Sequence, residues 1–214
     1  MMMTPKRILI ADDYEVVRAG LRSVLQTHEG WEVVAEADNG KDAIALIVKT
    51  TPDVAIIDYA LPVINGIEVI RSVKQRQLDT QILIFTMHDS DDLMRECFRA
   101  GARAFLLKSD PRLEIIPAVE ALLAHEPYLT GNASEKMLAS YLATHSEPTV
   151  SLRPRERMII QLISEGYSNK EVSKLLNLSV KTVESHRSSA ITKLSIKSTA
   201  GLVRYAVKNK LIEP

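Results

Sequence analysis

Five short strand-like runs in the first half of the chain, each followed by a helical pattern, constrain the fold more than any other feature. The runs cover residues 7–11, 32–37, 54–57, 82–86 and 104–107. Helical patterns follow at 15–27, 41–49, 66–75, 91–100 and 111–124. In the first of them Val17, Leu21, Val24 and Leu25 share a face through three- and four-residue spacing. Asp110-Pro111 opens the last one as N-cap and first-turn proline. The run Val54-Ala55-Ile56-Ile57 shows no polar alternation, which a strand covered on both faces requires. Five such strand–helix units imply an α/β doubly wound domain, a five-stranded parallel sheet with right-handed crossovers.

On that frame the polar residues fall into place. Asp12-Asp13 ends the first strand, Asp58 the third, Thr86 the fourth and Lys108 the fifth. All five therefore sit at the carboxyl edge of the sheet, where folds of this kind build their sites. Leu61-Pro62 forces a turn after Asp58, and Asn65-Gly66 breaks the chain again before the next helix. Three converging carboxylates repel one another, and a hard dication removes the conflict. Oxygen-only ligands favour Mg²⁺, while the absence of His and Cys from the cluster argues against zinc. Beside such an ion Asp58 is placed to attack a phosphoryl donor and form an aspartyl phosphate. Lys108 would neutralise charge on the transferred oxygens, and the Thr86 hydroxyl would donate a hydrogen bond to the bound group.

The zero net charge of the 214 residues hides a division. Residues 1–125 carry a net −5, residues 126–150 a net −2 and residues 151–214 a net +7. An acidic front and a basic tail suggest two domains with different partners, the tail's being polyanionic. Cys97 stands alone, so no internal disulfide forms, in keeping with a reducing compartment. Beside Phe98 in a helix it reads as a small packed hydrophobe, and Trp31 as cover for the start of the second strand. The opening residues lead straight into a strand rather than into a signal peptide, and no apolar run approaches the roughly 20 residues of a membrane span. A soluble, cytoplasmic protein with no membrane partner is expected.

Residues 125–150 read as a linker, punctuated by Pro127, Gly131 and Pro148. Within it, 134–143 has a helix-compatible face of Met137, Leu138, Tyr141 and Leu142. Four short helical patterns fill 151–214. The first, 154–165, buries Met158, Ile159, Leu162 and Ile163 and stops at Gly166. Ser168 and Glu171 form a capping box for the second, Asn177-Leu178 turns, and Ser179 caps a third helix over 180–194. Ser198 or Thr199 starts the fourth. Two helices joined by so short a turn read as helix-turn-helix, giving a small all-α domain. On the third helix Val183, Ala190 and Leu194 face inward. Lys181, Glu184, Ser185, Ser188 and Thr192 share the opposite face, small or polar enough for a major groove, with Thr182 beside them. Lys181, Arg187 and Lys193 are placed to meet phosphates at its edges.

Residues 7–124 resemble the receiver domain of two-component response regulators. The resemblance is carried by Ile10-Ala11-Asp12-Asp13, by Asp58 with Leu61-Pro62 and Asn65-Gly66, by Phe85-Thr86-Met87-His88, and by Gly101-Ala102-Arg103-Ala104-Phe105-Leu106-Leu107-Lys108. It implies a flavodoxin-like receiver over 6–124, in which Asp58 is the phospho-acceptor for a sensor histidine kinase. Asp12, Asp13, Asp58 and the backbone carbonyl of Ala60 would hold Mg²⁺. Thr86 and Phe105 match the switch pair, in which the hydroxyl turns toward the phosphoryl group as the ring rotates inward. The family often has Tyr at the position of Phe105, and Pro where Ser109 stands, which makes a cis peptide there less expected.

Residues 152–212 resemble the LuxR-type helix-turn-helix of NarL/FixJ-like regulators. The matching pieces are Pro154-Arg155-Glu156, Gly166-Tyr167-Ser168-Asn169-Lys170-Glu171, Leu178-Ser179-Val180-Lys181-Thr182-Val183-Glu184-Ser185-His186 and Ile191-Thr192-Lys193-Leu194. The resemblance implies double-stranded promoter DNA as partner, an inward-packing His186, and a homodimer formed on phosphorylation through Leu202, Tyr205 and Ala206. Arg153 replaces the family's usual Ser or Thr cap, and Glu184 occupies a position often basic.

The chain is thus expected to be a transcriptional response regulator, a phosphoryl acceptor with at most weak autophosphatase activity rather than an enzyme. A flavin-phosphate carrier would be repelled by Asp12-Asp13. A phosphohydrolase would usually carry a second Asp where Ala60 stands. The alternative kept open is a receiver acting as an interaction module whose basic tail binds a protein instead of DNA.

Overall fold

The computed structural model describes residues 4–109, 114–129, 152–196, 198–209 and 211–212. The chain divides into two compact units, 1–144 and 145–214. The expected cap at Asp110-Pro111 and the expected helix at 134–143 lie outside the described residues.

In the first unit the strands are β1 (Lys6–Ala11), β2 (Trp31–Ala37), β3 (Val54–Ile57), β4 (Gln81–Thr86), β5 (Ala104–Leu107) and β6 (Tyr128–Leu129). The helices are α1 (Glu15–Leu25), α2 (Gly40–Thr50), α3 (Gly66–Gln75), α4 (Asp91–Ala100) and α5 (Ile115–Leu123). All strand pairs are parallel, in the order β2-β1-β3-β4-β5-β6. The first five follow the flavodoxin-like order, whose direction reverses between β1 and β3. The sheet has one strand more than the five expected. β6 pairs Tyr128 with Ala104 and Leu129 with Phe105, inside the stretch read as linker.

Alternate side chains of each inner strand enter opposite cores, because successive residues of a strand point to opposite faces. Ile8, Ile10, Val54, Ile56, Leu83, Phe85, Ala104 and Leu106 pack with Leu21 and Leu25 of α1 and with Ile115, Ala118, Val119 and Leu122 of α5. Leu9, Ala11, Ala55, Ile57, Ile82, Ile84 and Phe105 pack against α2, α3 and α4. Both faces are covered, so these strands have no polar alternation. Cys97 lies fully buried in the second of these cores. Trp31, half-buried at the start of β2, packs on the first core and stacks on His28 at 4.0 Å.

The second unit holds α6 (Pro154–Ser164), α7 (Asn169–Leu175), α8 (Val180–Leu194) and α9 (Thr199–Lys208). Met158, Ile159, Leu162 and Ile163 are buried as expected, with Val172, Val183, Ala190, Leu202 and Ala206. Ser168 and Glu171 satisfy each other's backbone N–H groups, and the Ser179 and Ser198 hydroxyls accept from Thr182 N and Gly201 N. Between α7 and α8 the turn is made by Asn177, whose φ of 53° asparagine tolerates better than most residues. At α6 the Arg153 side chain has no acceptor to offer, so only the reciprocal half of a capping box forms, Glu156 Oε2 accepting from Arg153 N. No helix among the described residues is long and apolar enough to cross a membrane.

Candidate functional site

The ends of β1, β3, β4 and β5 bring Asp12, Asp58, Thr86 and Lys108 to one edge of the sheet. The reversal of strand order between β1 and β3 opens a crevice there. Backbone bonds continue past the strand ends. Asp12 N donates to Ala37 O, Asp58 N to Ala11 O and Lys108 N to Thr86 O. The side chains thus project from fixed backbone rather than from free loops.

Lys108 Nζ lies 2.6 Å from Asp12 Oδ2 and 2.6 Å from Asp58 Oδ2. Asp12 Oδ1 accepts from Tyr14 N at 3.0 Å, and Asp58 Oδ1 from Ala60 N at 3.2 Å. The ammonium also stands 5.9 Å from the centre of the Tyr14 ring and 6.0 Å from that of Phe85. Asp12 and Asp58 are almost fully buried, whereas Asp13 is exposed. Burial pushes the Asp12 carboxyl above its ordinary range, and the contact with Lys108 offsets that only in part. Burial pulls Lys108 the other way, but the attraction of Asp58 and Asp12 outweighs it and leaves the ammonium raised. Lys108 is therefore a fixed cation at neutral pH.

One ammonium against three carboxylates leaves excess negative charge. Asp12, Asp13 and Asp58 each offer an oxygen, and these atoms lie within 4.8 Å of one another. A hard, oxygen-seeking dication fits that donor set, and Mg²⁺ is the one that accepts few carboxylates and keeps its own waters.

The loop after Asp58 is held by close backbone approach. A side chain at Gly66 would begin 2.6 Å from Asp58 O, and one at Gly40 would begin 1.7 Å from Ile64 O. Gly40 N donates to Pro62 O, and Gly66 N to Tyr59 O. Val63, between them, has φ of 68°, a strained conformation for a β-branched residue. Thr86 is fully buried and its hydroxyl accepts from His88 N at 3.3 Å, while the His88 ring meets Tyr59 edge-on. Phe105 lies with its ring inside the core, 4% exposed, on the strand that Lys108 directly follows. Ala60 is half-buried and joins the cluster through its N–H. The sequence reading did not single out Arg18, whose guanidinium donates to Asp12 O at 2.7 Å. A cation beside Val17 on α1 was the only signal for it.

In the second unit Lys181, Glu184, Ser185, Ser188 and Thr192 form an exposed face of α8, with Thr182 half-buried. Val183 and Ala190 are buried, while Leu194 and His186 are half-buried. Arg187 donates to Asn169 Oδ1 on α7 and reaches Thr199 Oγ1 on α9. Lys193 is not on the outer face. Its ammonium lies 2.9 and 2.7 Å from the two oxygens of the buried Glu156, which also accepts from Ser189 Oγ at 2.7 Å. Burial would raise the Glu156 carboxyl, but these bonds, with Lys193 foremost, bring it down to about 2. The expected dimer contact needs correction too. Leu202 and Ala206 are fully buried within the chain, which leaves half-buried Tyr205, of the three, within reach of a second copy.

Comparison with known proteins agrees with both halves. Residues 8–120 match the response regulator receiver domain, and residues 150–206 match the bacterial regulatory proteins of the luxR family. Oxygen regulatory protein NreC of Staphylococcus epidermidis is 35% identical over 97% of this chain and 99% of that protein. A LuxR-family two-component response regulator from Aurantimonas is 34% identical, covering 64% of this chain and 99% of its own, with a TM-score of 0.61. RcsB from Salmonella enterica serovar Typhimurium, bound to promoter P1flhDC in the presence of the phosphomimetic BeF3−, is 25% identical. It covers 95% of this chain and 98% of its own, with a TM-score of 0.65. The chain therefore belongs to the two-component response regulators that carry a LuxR-type DNA-binding domain.

Proposed function

We propose that Asp58 accepts a phosphoryl group from a sensor histidine kinase and that its phosphorylation controls promoter binding by residues 151–214. The observation that carries this reading is the Lys108 ammonium seated 2.6 Å from both Asp12 and Asp58, with Asp13 completing the acid cluster. The Asp58 carboxylate oxygen forms the new P–O bond as the P–N bond of the kinase's phosphohistidine breaks. Lys108 faces the charge that gathers on the phosphoryl oxygens, and the Thr86 hydroxyl turns from its contact with His88 N toward them. Asp12, Asp13, Asp58 and the Ala60 carbonyl would hold Mg²⁺, which when bound would neutralise charge on the incoming phosphoryl group. Phe105 follows Thr86, and phosphorylation favours whichever state contacts the phosphoryl group better.

In this reading the receiver spans 6–124 and the linker 125–150, with the first part of the linker adding β6 to the receiver's sheet. The exposed face of α8 enters the major groove, with Lys181 at the phosphates and Glu184, Ser185, Ser188 and Thr192 toward the base edges. Promoter binding by the related RcsB supports that assignment. The phosphorylated chain pairs as a homodimer through the exposed side of α9 around Tyr205. It works in the cytoplasm as an acceptor rather than as a turnover enzyme.

Acetyl phosphate with Mg²⁺ tests the acceptor directly. Wild type should be labelled at one group per chain and Asp58→Asn not at all. Full labelling of the variant would refute the assignment. A gel shift on promoter DNA should show binding that strengthens with labelling and weakens steeply with salt. Salt-insensitive binding would overturn the phosphate-contact reading, and no shift at any salt would point to a protein partner for the basic tail.

A further inference from the structure

We propose that Arg18 is a positioning residue of the acid cluster: its guanidinium fixes the peptide between Asp12 and Asp13, and Glu36 fixes the guanidinium. The inference rests on the phosphoryl-acceptor reading above and adds to it a residue that touches neither metal nor phosphate. Arg18 lies on α1, its side chain 16% exposed, and donates from one terminal nitrogen to Asp12 O at 2.7 Å. Its Nε stands 3.4 Å from Glu36 Oε2 on β2, and Arg22 holds the other Glu36 oxygen.

The geometry explains why a donor is needed there. Asp12 lies just past the end of β1, and its N–H is already bonded to Ala37 O of β2. Its side-chain oxygens are held by Tyr14 N and by Lys108. The remaining group is its carbonyl, which belongs to the planar peptide that leads into Asp13. Holding that oxygen sets the plane of the peptide, and so the direction in which the exposed Asp13 leaves the backbone. A planar guanidinium can meet Asp12 O and Glu36 together, whereas a lysine ammonium on a flexible stem lacks that fork. Groups that orient metal ligands from outside typically carry a 10- to 100-fold effect on metal affinity.

Electrostatics alone makes the opposite forecast. Arg18 is a cation near three carboxylates, so removing it should tighten Mg²⁺ binding. Positioning requires that it weaken. Calorimetric titration of Mg²⁺ into the full chain separates the two, with Asp13→Asn reporting loss of a ligand. Arg18→Ala should bind Mg²⁺ about tenfold more weakly than wild type. Arg18→Lys, which keeps the charge, should also bind more weakly, by a smaller factor. Thermal melts followed by circular dichroism check that the variants are folded, and if Arg18→Ala does not fold, Arg18→Lys decides alone. Unchanged or tighter binding in the folded variants overturns the positioning role while leaving the acceptor reading intact. Absence of Mg²⁺ binding by wild type overturns both.

Discussion

Lys108 Nζ stands 2.6 Å from Asp58 Oδ2, a contact between residues fifty positions apart that closes the acid cluster at the sheet edge. Among the described residues the same ammonium is the one counter-charge paired with both Asp12 and Asp58. Lys108→Ala would leave two buried carboxylates facing each other. Removing one partner of a buried charge cluster costs about 3–5 kcal/mol. The expected outcome is a lower melting temperature without Mg²⁺ and a larger recovery on adding Mg²⁺ than wild type shows. Melts at matched ionic strength, with and without Mg²⁺, check it. Equal recovery in both proteins would count against a shared site for ammonium and dication.

Gly66 meets the acceptor from behind. A methyl group there would lie 2.6 Å from Asp58 O and 2.9 Å from Tyr59 Cα, both of them backbone atoms that cannot swing aside. Gly66→Ala is therefore expected to shift the loop that carries Asp58 and to cost about 1–3 kcal/mol in stability. Labelling by acetyl phosphate should slow while the fold is retained. Chemical denaturation together with the labelling rate tests this, and an unchanged rate would show that the loop absorbs the methyl without moving Asp58.

What could be read from the sequence follows from burial. Asp12, Asp58, Thr86 and Lys108 each stand directly after an apolar run, so placing the strands also placed the site. Those runs were legible because both faces of the sheet are covered, and Ile8, Leu9 and Ile10 are all fully buried. Tyr128 and Leu129 form β6 with two half-buried residues, too few to make a pattern. Arg18 and Lys193 were hidden for another reason. A long cationic stem on a helix has the same one-dimensional appearance whether its charge meets water or reaches a neighbouring element. Leu202 and Ala206 show the converse: apolar character does not tell whether a residue serves its own core or a second copy.

Lys181 and Lys193, twelve residues apart on α8, should respond differently to the same substitution. Lys181 is exposed near the start of the helix. Lys181→Ala should leave stability within about 0.5 kcal/mol of wild type. It should weaken DNA binding across sequences and reduce the salt slope by about 1. Lys193→Ala should leave Glu156 buried without its cation, at a cost toward the lower end of the roughly 3–5 kcal/mol of a fully buried pair, because the lysine is partly solvated. Its DNA salt slope, measured below the melting temperature, should stay close to that of wild type. A full unit lost from the Lys193→Ala slope, with stability unchanged, would place that ammonium on DNA instead.

Glu156 also sets how the second unit responds to acid. Its carboxyl is brought down to about 2, by Lys193, Arg153 N and Ser189 against the opposing effect of burial. A carboxylate with a depressed folded-state pKa contributes stability that is fully present above its unfolded value of 4.5 and is lost as pH falls toward 2. The shift corresponds to roughly 3 kcal/mol. Trp31, the sole tryptophan, lies in the first unit, so its fluorescence follows that unit while circular dichroism follows the helices of both. Helix signal lost between pH 4.5 and 2 without a matching change in Trp31 therefore reports the second unit. Glu156→Gln should be less stable than wild type at neutral pH and flatter across that window, the two converging near pH 2. Parallel acid profiles for the two proteins would show that another carboxylate controls the transition.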